Sequence, residues 1–127
     1  MAALIYEDLS FQIIGISYQI DDDLGFGFDE KTYGNAFELL LKKKKIDYQR
    51  EAYVPIRIDG QIVAKRYIDF VISGKIVVEL KAGNYNYRQA CIQTFQYLKS
   101  SRLQVGIIIR FTKDGVKIKR IFNHLEN

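Results

Sequence analysis

Charged side chains interrupt an apolar stretch at Val77–Gly83, which reads VVELKAG. Glu79 and Lys81 stand two residues apart, and Asp69 precedes Glu79 by ten residues. A charged group that leaves water must be paired or must bind an ion. One or two carboxylates can hold a hard cation such as Mg²⁺, which also keeps water and substrate phosphate oxygens as ligands. A lysine beside such an ion supplies a compact positive charge for phosphate, so these residues could support metal-dependent phosphate chemistry.

The turn after Asp69 decides whether the charges can meet. If Ser73–Lys75 form a three-residue hairpin loop, Ile72 pairs with Ile76 and Asp69 lies directly opposite Glu79. A two-residue turn would instead place Asp69 and Glu79 on opposite faces. The three-residue loop is preferred because it leaves one face of the hairpin uniformly apolar. That face would consist of Ile68, Phe70, Ile72, Ile76, Val78 and Leu80.

The predicted juxtaposition of Asp69 and Glu79 has two interpretations. Like charges directly opposite each other destabilise a sheet, and a cation between them would reverse that cost. Alternatively, Asp69, Glu79 and Lys81 form an ordinary ion cluster on a half-exposed face, since exposed ion pairs contribute little to stability. The residues by themselves leave both interpretations open.

Eight predicted elements must position these residues. Apolar residues at helical spacing predict helices, and alternating or continuous apolar runs predict strands. The helices are expected at Leu9–Leu24, Asp29–Lys45 and Tyr87–Ser100, and the strands at Tyr48–Gly60, Gln61–Ser73, Lys75–Ala82, Leu103–Phe111 and Asp114–Phe122. The order α-α-β-β-β-α-β-β predicts an α/β (α+β) domain in which helices flank a central mixed sheet.

Composition narrows the class of protein. A chain of 127 residues predicts one domain, residues 1–127. The lone Cys91 allows no internal disulfide, which favours a reducing compartment and predicts a cytoplasmic protein. No segment approaches the roughly 20 apolar residues that a membrane helix needs. The net charge of +4 mildly favours an anionic partner. Lys42–Lys45 contribute most of that excess, either as a solvated helix end or as a phosphate contact.

Three motifs together resemble the PD-(D/E)XK nuclease superfamily, and more narrowly the GxxExxY family. They are Asp69 with Glu79-Leu80-Lys81, the stretch GFDEKTY with Gly27, Glu30 and Tyr33, and a Q-x-x-x-Y pattern at Gln93 and Tyr97. The resemblance runs from about Leu9 to Asn123. The proline that gives the superfamily its name is replaced, since Ile68 precedes Asp69.

The resemblance implies a restriction-endonuclease-like core and an Mg²⁺- or Mn²⁺-dependent nuclease that hydrolyses phosphodiester bonds, in DNA more than in RNA. It implies a metal site formed by Asp69, Glu79 and the backbone carbonyl of Leu80. It implies that Lys81 orients the attacking water and that Glu30 adds a further carboxylate for metal or water. It assigns the positioning of the substrate phosphate to Gln93 and Tyr97.

Several of these residues have plainer interpretations. Gly27 and Tyr33 could simply be a turn and a core contact, and Tyr97 could be packing. Next to the Glu-x-Lys strand, three residues could stack on bases or contact phosphates, or could form an ordinary junction between loop and helix. They are Tyr85, Tyr87 and Arg88. The alternative functions are a non-catalytic nucleic-acid-binding module and an assembly subunit that acts with a partner protein or as a homodimer.

Overall fold

The computed structural model describes residues 5–83 and 85–124. Its eight elements follow the predicted order. They are α1 (Glu7–Leu24), α2 (Glu30–Lys43), β1 (Tyr48–Ile58), β2 (Gln61–Ile72), β3 (Ile76–Ala82), α3 (Tyr87–Ser101), β4 (Val105–Thr112) and β5 (Gly115–Phe122). One five-stranded sheet has the order β1-β2-β3-β4-β5, in which only β3 and β4 run parallel. A mixed sheet flanked by helices confirms the predicted fold class.

Helix α2 begins where the sequence predicts a cap. The Asp29 side chain accepts a hydrogen bond from the Thr32 backbone N–H at 2.8 Å, which satisfies one of the free amide groups of the first turn. Gly27 precedes the cap with a φ of 111°, a conformation that glycine adopts without strain. Glu30 is therefore the first residue of the helix.

Helices cover both faces of the sheet. Side chains from α1 and α2 pack on one face, around Tyr33, Phe37 and Phe70. Tyr97 and Leu98 of α3 pack on the other. The β4 residues 105–109 are all buried, as expected of a strand covered on both sides. In residues 5–83 and 85–124, no helix has the length and apolar character that a membrane span requires.

The hairpin between β2 and β3 has the predicted register. Ile72 pairs with Ile76 across a turn in which Ser73 and Gly74 are left-handed, with φ of 53° and 65°. The Lys75 N–H donates to the Ile72 carbonyl at 2.9 Å. The backbone ladder between the two strands covers three residue pairs and ends at Phe70 and Val78. Asp69 and Glu79 are therefore next in register, at the point where regular pairing ends.

The predicted apolar face is wrong at one residue. Phe70 packs on the side of α1 and α2, whereas Ile68 packs with Val71 and Val77 on the side of α3. Regular pairing between β1 and β2 is also interrupted where Glu51 stands opposite Asp69. Glu51 is left-handed, with a φ of 54°, and an irregular residue within a strand changes which face its neighbours present.

Gly106 allows α3 to lie close to the sheet, and its replacement gives a direct test of this packing. A Cβ added to Gly106 would stand 2.8 Å from Thr94 Cγ2 and 3.4 Å from Leu98 Cδ1. Both neighbours are fully buried, so we expect Gly106→Ala to lower the free energy of unfolding by about 1–3 kcal/mol. Urea denaturation would measure the change.

The matched control for this test is Gly15→Ala on α1. Gly15 is exposed, and an added Cβ would meet no atom within 4 Å. Because alanine favours a helix over glycine by up to about 1 kcal/mol, this variant is expected to be more stable than the wild type. If Gly106→Ala proved as stable as Gly15→Ala, α3 would not pack tightly on Gly106.

Candidate active site

Asp69 and Glu79 meet where β2 and β3 cease to pair. Asp69 Oδ2 accepts a hydrogen bond from the Leu80 N–H at 2.8 Å, and the Asp69 N–H donates to Glu79 Oε2 at 3.4 Å. These bonds between side chain and backbone take the place of the ladder that ends at the preceding pair. The backbone thus fixes both carboxylates beside each other.

Glu79 is the more deeply buried of the two, with 3% of its surface exposed. Burial raises the pKa of Glu79 well above its ordinary value, and the neighbouring Asp69 raises it further, while Lys81 acts in the opposite direction. Within the described parts of the chain, no lysine or arginine forms an ion pair with Asp69 or Glu79. The metal-free pair therefore lacks a compensating cation in direct contact.

The residues at this point fit a hard divalent cation. Two adjoining carboxylates, one of them buried, would be stabilised by a positive charge between them. In residues 5–83 and 85–124 no cluster of three or more histidine, cysteine or acidic side chains could hold a metal ion. A cation here would therefore take its remaining ligands from backbone carbonyls, water or substrate, as Mg²⁺ does when it binds one or two carboxylates.

Glu30 lines a cleft that it shares with Asp69 of this pair. Its Oε2 accepts a hydrogen bond from the Ala82 N–H at 3.4 Å, which places the start of α2 beside the end of β3. Glu30, Asp69 and Leu80 line the same cleft, whose volume is about 520 Å³. The structure thus brings the third predicted carboxylate to the edge of the acidic pair without joining it in one cluster.

Helix α3 brings Tyr97 to the other side of the acidic pair. Tyr97 is 4% exposed. Burial raises its pKa to about 12, and the negative charges of Glu79 and Asp69 contribute to the rise. Gln93 lies one turn earlier, is half-buried, and forms no hydrogen bond with Asp69 or Glu79. Lys81 is half-buried, two residues beyond Glu79 on β3.

Arg110 on β4 is a neighbour of the site that the sequence did not single out. It pairs with Lys81 across the parallel strands. Its guanidinium lies over the rings of Tyr85 and Tyr87, with distances of 5.3 and 5.2 Å to the ring centroids. Two predicted stacking rings are thus already in contact with a cation, while Arg88 is exposed on the first turn of α3. The sequence did carry a signal for Arg110, because a basic residue follows the apolar run of β4 just as Lys81 follows that of β3.

Two polar atoms of this group are buried without a hydrogen-bond partner among the described residues. They are the Tyr85 hydroxyl oxygen and Arg110 Nε. Buried polar atoms are normally satisfied, by protein or by bound water. The unsatisfied atoms and the positive charge make this a polar, cationic flank next to Lys81.

A second group that the sequence did not reveal holds α2 against β1. Arg50 Nη1 donates to Asn35 Oδ1 at 2.8 Å and to Glu38 Oε1 at 3.0 Å. The Tyr48 hydroxyl donates to Glu38 Oε2 at 2.7 Å and is the main cause of the lowered pKa of Glu38, with Arg50 adding to it. Gly34 leaves room for the guanidinium, since a Cβ there would lie 2.6 Å from Arg50 Nη2.

The same irregularity that shifts Ile68 brings Glu51 to the site. Glu51 is exposed and lines the cleft together with Glu30 and Asp69. No residue type in β1 signals this position, because the left-handed backbone occurs at a glutamate rather than at a glycine.

In the GFDEKTY stretch, Tyr33 has a structural role and Glu30 lies at the candidate site. Tyr33 is fully buried, and its ring stacks on Phe111 at a centroid distance of 4.0 Å. Its hydroxyl donates to the Gly25 carbonyl at 2.6 Å and accepts from the Phe28 N–H at 3.4 Å. Tyr33 therefore fixes the start of α2, which carries Glu30 to the cleft.

A mixed sheet with helices on both faces, and an acidic pair where two of its strands cease to pair, defines a protein of the restriction-endonuclease-like class. The chain belongs to the PD-(D/E)XK nuclease superfamily, whose family model matches residues 7–121. A solved structure titled "Crystal structure of SSO0001" has a similar fold, with a TM-score of 0.59 and 22% identity over 76% of this chain. This chain spans about half of that protein, 51% of its length. Curated protein sequences yield no match to the chain.

The raised pKa of Glu79 predicts a pH-dependent stability for the metal-free protein. The folded state binds the Glu79 proton more tightly than the unfolded state, whose pKa is near the ordinary value of 4.5. The destabilisation is therefore absent below that pH and grows as the pH rises toward the folded-state pKa. Glu79→Gln should remove this contribution, so its melting temperature in EDTA should exceed that of the wild type by a difference that grows as the pH rises from the ordinary pKa of 4.5 into the neutral range.

Thermal unfolding followed by circular dichroism would measure both proteins across that range. Glu7→Gln on the exposed first turn of α1 serves as the matched control, with no growing difference expected. A difference between Glu79→Gln and the wild type that stays constant with pH would contradict the prediction.

Proposed function

We propose that this protein hydrolyses phosphodiester bonds in nucleic acid, DNA more than RNA, with Mg²⁺ or Mn²⁺ as cofactor. The observation that carries the proposal is the pairing of Asp69 with Glu79 through the backbone of β3, at 2.8 Å and 3.4 Å. Membership of a nuclease superfamily supports it. The net charge of +4 is compatible with an anionic substrate.

In this proposal Asp69 and Glu79 hold the metal ion, together with the backbone carbonyl of Leu80. A bound divalent ion would lower the pKa of water and neutralise charge that develops on the phosphate. Lys81 lies two residues beyond Glu79 on β3 and would orient the attacking water and face the phosphate. Glu30 lines the same cleft as Asp69, where it could accept a hydrogen bond from water.

Helix α3 would position the substrate. The Tyr97 hydroxyl is protonated at neutral pH, as in any tyrosine, and would donate a hydrogen bond to a phosphate oxygen. We assign Gln93 the same role from its place one turn earlier. Tyr85, Tyr87 and Arg88, now joined by Arg110, would contact the substrate on the flank next to Lys81.

The test is cleavage of mixed DNA and RNA substrates by the full chain, with Mg²⁺, with Mn²⁺ and with EDTA. Asp69→Ala and Lys81→Ala are assayed beside the wild type. Metal-dependent cleavage that disappears in both variants is the expected result. Cleavage that survives both substitutions would overturn the site assignment.

A second candidate function is nucleic-acid binding without catalysis, as a module or as a subunit of an assembly. Two observations favour it: the described residues contain no third acidic metal ligand in the cluster, and Ile68 replaces the proline of the superfamily motif. Binding that weakens steeply with salt, without cleavage under any divalent metal, would support this function over the first. Fully active monomers would exclude the need for a homodimer or a partner protein.

Two narrower assignments remain part of the proposal. The GxxExxY family is supported by Gly27, Glu30 and Tyr33 in their motif spacing. A cytoplasmic location is supported by the lone Cys91.

A further inference from the structure

The hairpin of β1 and β2 extends beyond the rest of the sheet. β2 pairs with β3 only over residues 70–72, yet it pairs with β1 as far back as Gln61. We call residues 53–67 the ribbon. One face of the ribbon packs toward α3 through Val54, which is buried, and Ile56, which is half-buried.

The opposite face of the ribbon carries an exposed pair of aromatic side chains. Tyr53 and Tyr67 are cross-strand partners whose ring centroids lie 5.6 Å apart at an interplanar angle of 48°. They are 47% and 58% exposed. Cross-strand aromatic pairs stabilise hairpins, but that role does not require rings whose surface is about half open to solvent.

This aromatic pair borders the candidate active site. Tyr67 lines a cleft of about 360 Å³ together with Glu51, Ile68 and Asp69. Asp69 is the carboxylate that hydrogen-bonds the Leu80 N–H on β3. A group that lies against the Tyr67 ring would therefore stand next to Asp69, where the metal ion of the proposed function would bind the scissile phosphate.

The charge of the ribbon favours an anionic partner. Its ionisable side chains other than tyrosine are three basic and one acidic, namely Arg57, Lys65, Arg66 and Asp59. Lys65 is exposed and lies two residues before Tyr67, on the same face of the strand. By the same alternation Arg57 shares this face with Tyr53, while Arg66 lies on the other. A second copy of the chain docked on this face would bring basic side chains toward each other, whereas a nucleic acid would neutralise them.

We propose that Tyr53 and Tyr67 form a stacking platform for an unpaired base next to the scissile phosphate, so that the substrate is single-stranded at that point. Aromatic side chains bind nucleic acid by stacking on base faces, which are available in a single strand and covered in a duplex. Lys65 contacts the backbone phosphate of the same strand. This inference rests on the proposed function for the place of the scissile bond, but the platform itself is a binding site that can be measured without cleavage.

The experiment measures binding of a fluorescent single-stranded oligonucleotide and of the corresponding duplex in EDTA, by anisotropy. Tyr67→Leu keeps an apolar side chain in the strand but removes the ring. It should weaken single-strand binding by roughly 5- to 100-fold and duplex binding by less than about twofold. Tyr67→Phe should bind like the wild type, since the ring and not the hydroxyl stacks. Tyr18→Leu, an equally exposed tyrosine on α1, is the matched control with no expected change.

Each other outcome overturns the inference. Equal losses for single strand and duplex would make Tyr67 a general contact, and a loss in Tyr67→Phe would make it a hydrogen-bond donor. A dimer in solution that Tyr67→Leu dissociates would make the face a subunit interface. If Tyr67→Leu does not fold, Tyr53→Leu gives the same test from the partner ring.

The two proposals fail in different ways. Ring-dependent binding of single strands without cleavage under any metal would overturn the proposed nuclease function and leave the platform. Metal-dependent cleavage that is indifferent to both rings would leave the nuclease function and overturn the platform.

Discussion

Replacing Asp69 by asparagine is expected to reduce Mg²⁺-dependent cleavage by roughly a thousandfold or more. An asparagine oxygen can still accept the Leu80 N–H bond, which is 2.8 Å long with the carboxylate. What the substitution removes is the negative charge that would hold the cation. Since a bound metal supplies several kcal/mol of stabilisation to the transition state, its loss has a large effect on rate.

Two measurements separate this cause from a loss of folding. Titration with Mn²⁺ should show weakened metal binding in Asp69→Asn. Thermal unfolding in EDTA should show unchanged or increased stability, because the charge beside the buried Glu79 is gone. Asp114→Asn, at the exposed turn between β4 and β5, is the matched control and should cleave like the wild type. More than about a tenth of the wild-type rate in Asp69→Asn would count against a metal role for this carboxylate.

The second large effect is expected at Lys81. Lys81→Met keeps the length of the side chain but removes its charge, and should lower kcat by about a hundredfold to a thousandfold. Lys81 lies two residues beyond Glu79 on β3 and is half-buried, so its ammonium is expected to act on water and phosphate rather than to ligate the metal. The loss should therefore appear in kcat. The affinity for Mn²⁺, measured at the same pH for both proteins, should be retained.

The sheet itself supplies the control for Lys81. Arg110 of β4 pairs with Lys81 on one side and with Lys117 of β5 on the other. Lys117 is exposed, so Lys117→Met removes an equal charge from the same row of the sheet two strands away, with little expected effect. A fall in metal affinity as large as the fall in kcat would show that Lys81 acts through the charge of Glu79 instead of on the phosphate.

The local features of the fold were accessible from the sequence because they depend on neighbouring residues. Asp29 signals the start of α2 because its side chain accepts a hydrogen bond from the N–H of Thr32, only three residues later. Ser73 and Gly74 permit the left-handed turn that sets Ile72 opposite Ile76. Side chains two apart on a strand share a face, so the spacing of Glu79 and Lys81 already placed both charges on one side of β3.

Within the site, the sequence predicted which residue types meet but not how they are held. The structure brings Tyr97 next to Glu79 because α3 packs on Gly106, a contact between distant segments. It also shows that the Asp69 and Glu79 side chains bind the backbone of the opposite strand, since the ladder ends at the preceding pair. No pattern of residue types reports where a ladder stops.

By itself, the sequence determined the order of the elements, the register of the β2–β3 hairpin and the alignment of Glu79 with Lys81, since periodicity and turn chemistry are local properties. Only the tertiary structure decided that Glu51 takes a left-handed conformation and that Ile68 turns toward α3. It alone placed Arg110 over two tyrosine rings and left the rings of Tyr53 and Tyr67 exposed, with Tyr67 lining a cleft beside Asp69. These features depend on contacts between residues far apart in the chain, and packing can override the preferences of individual residues.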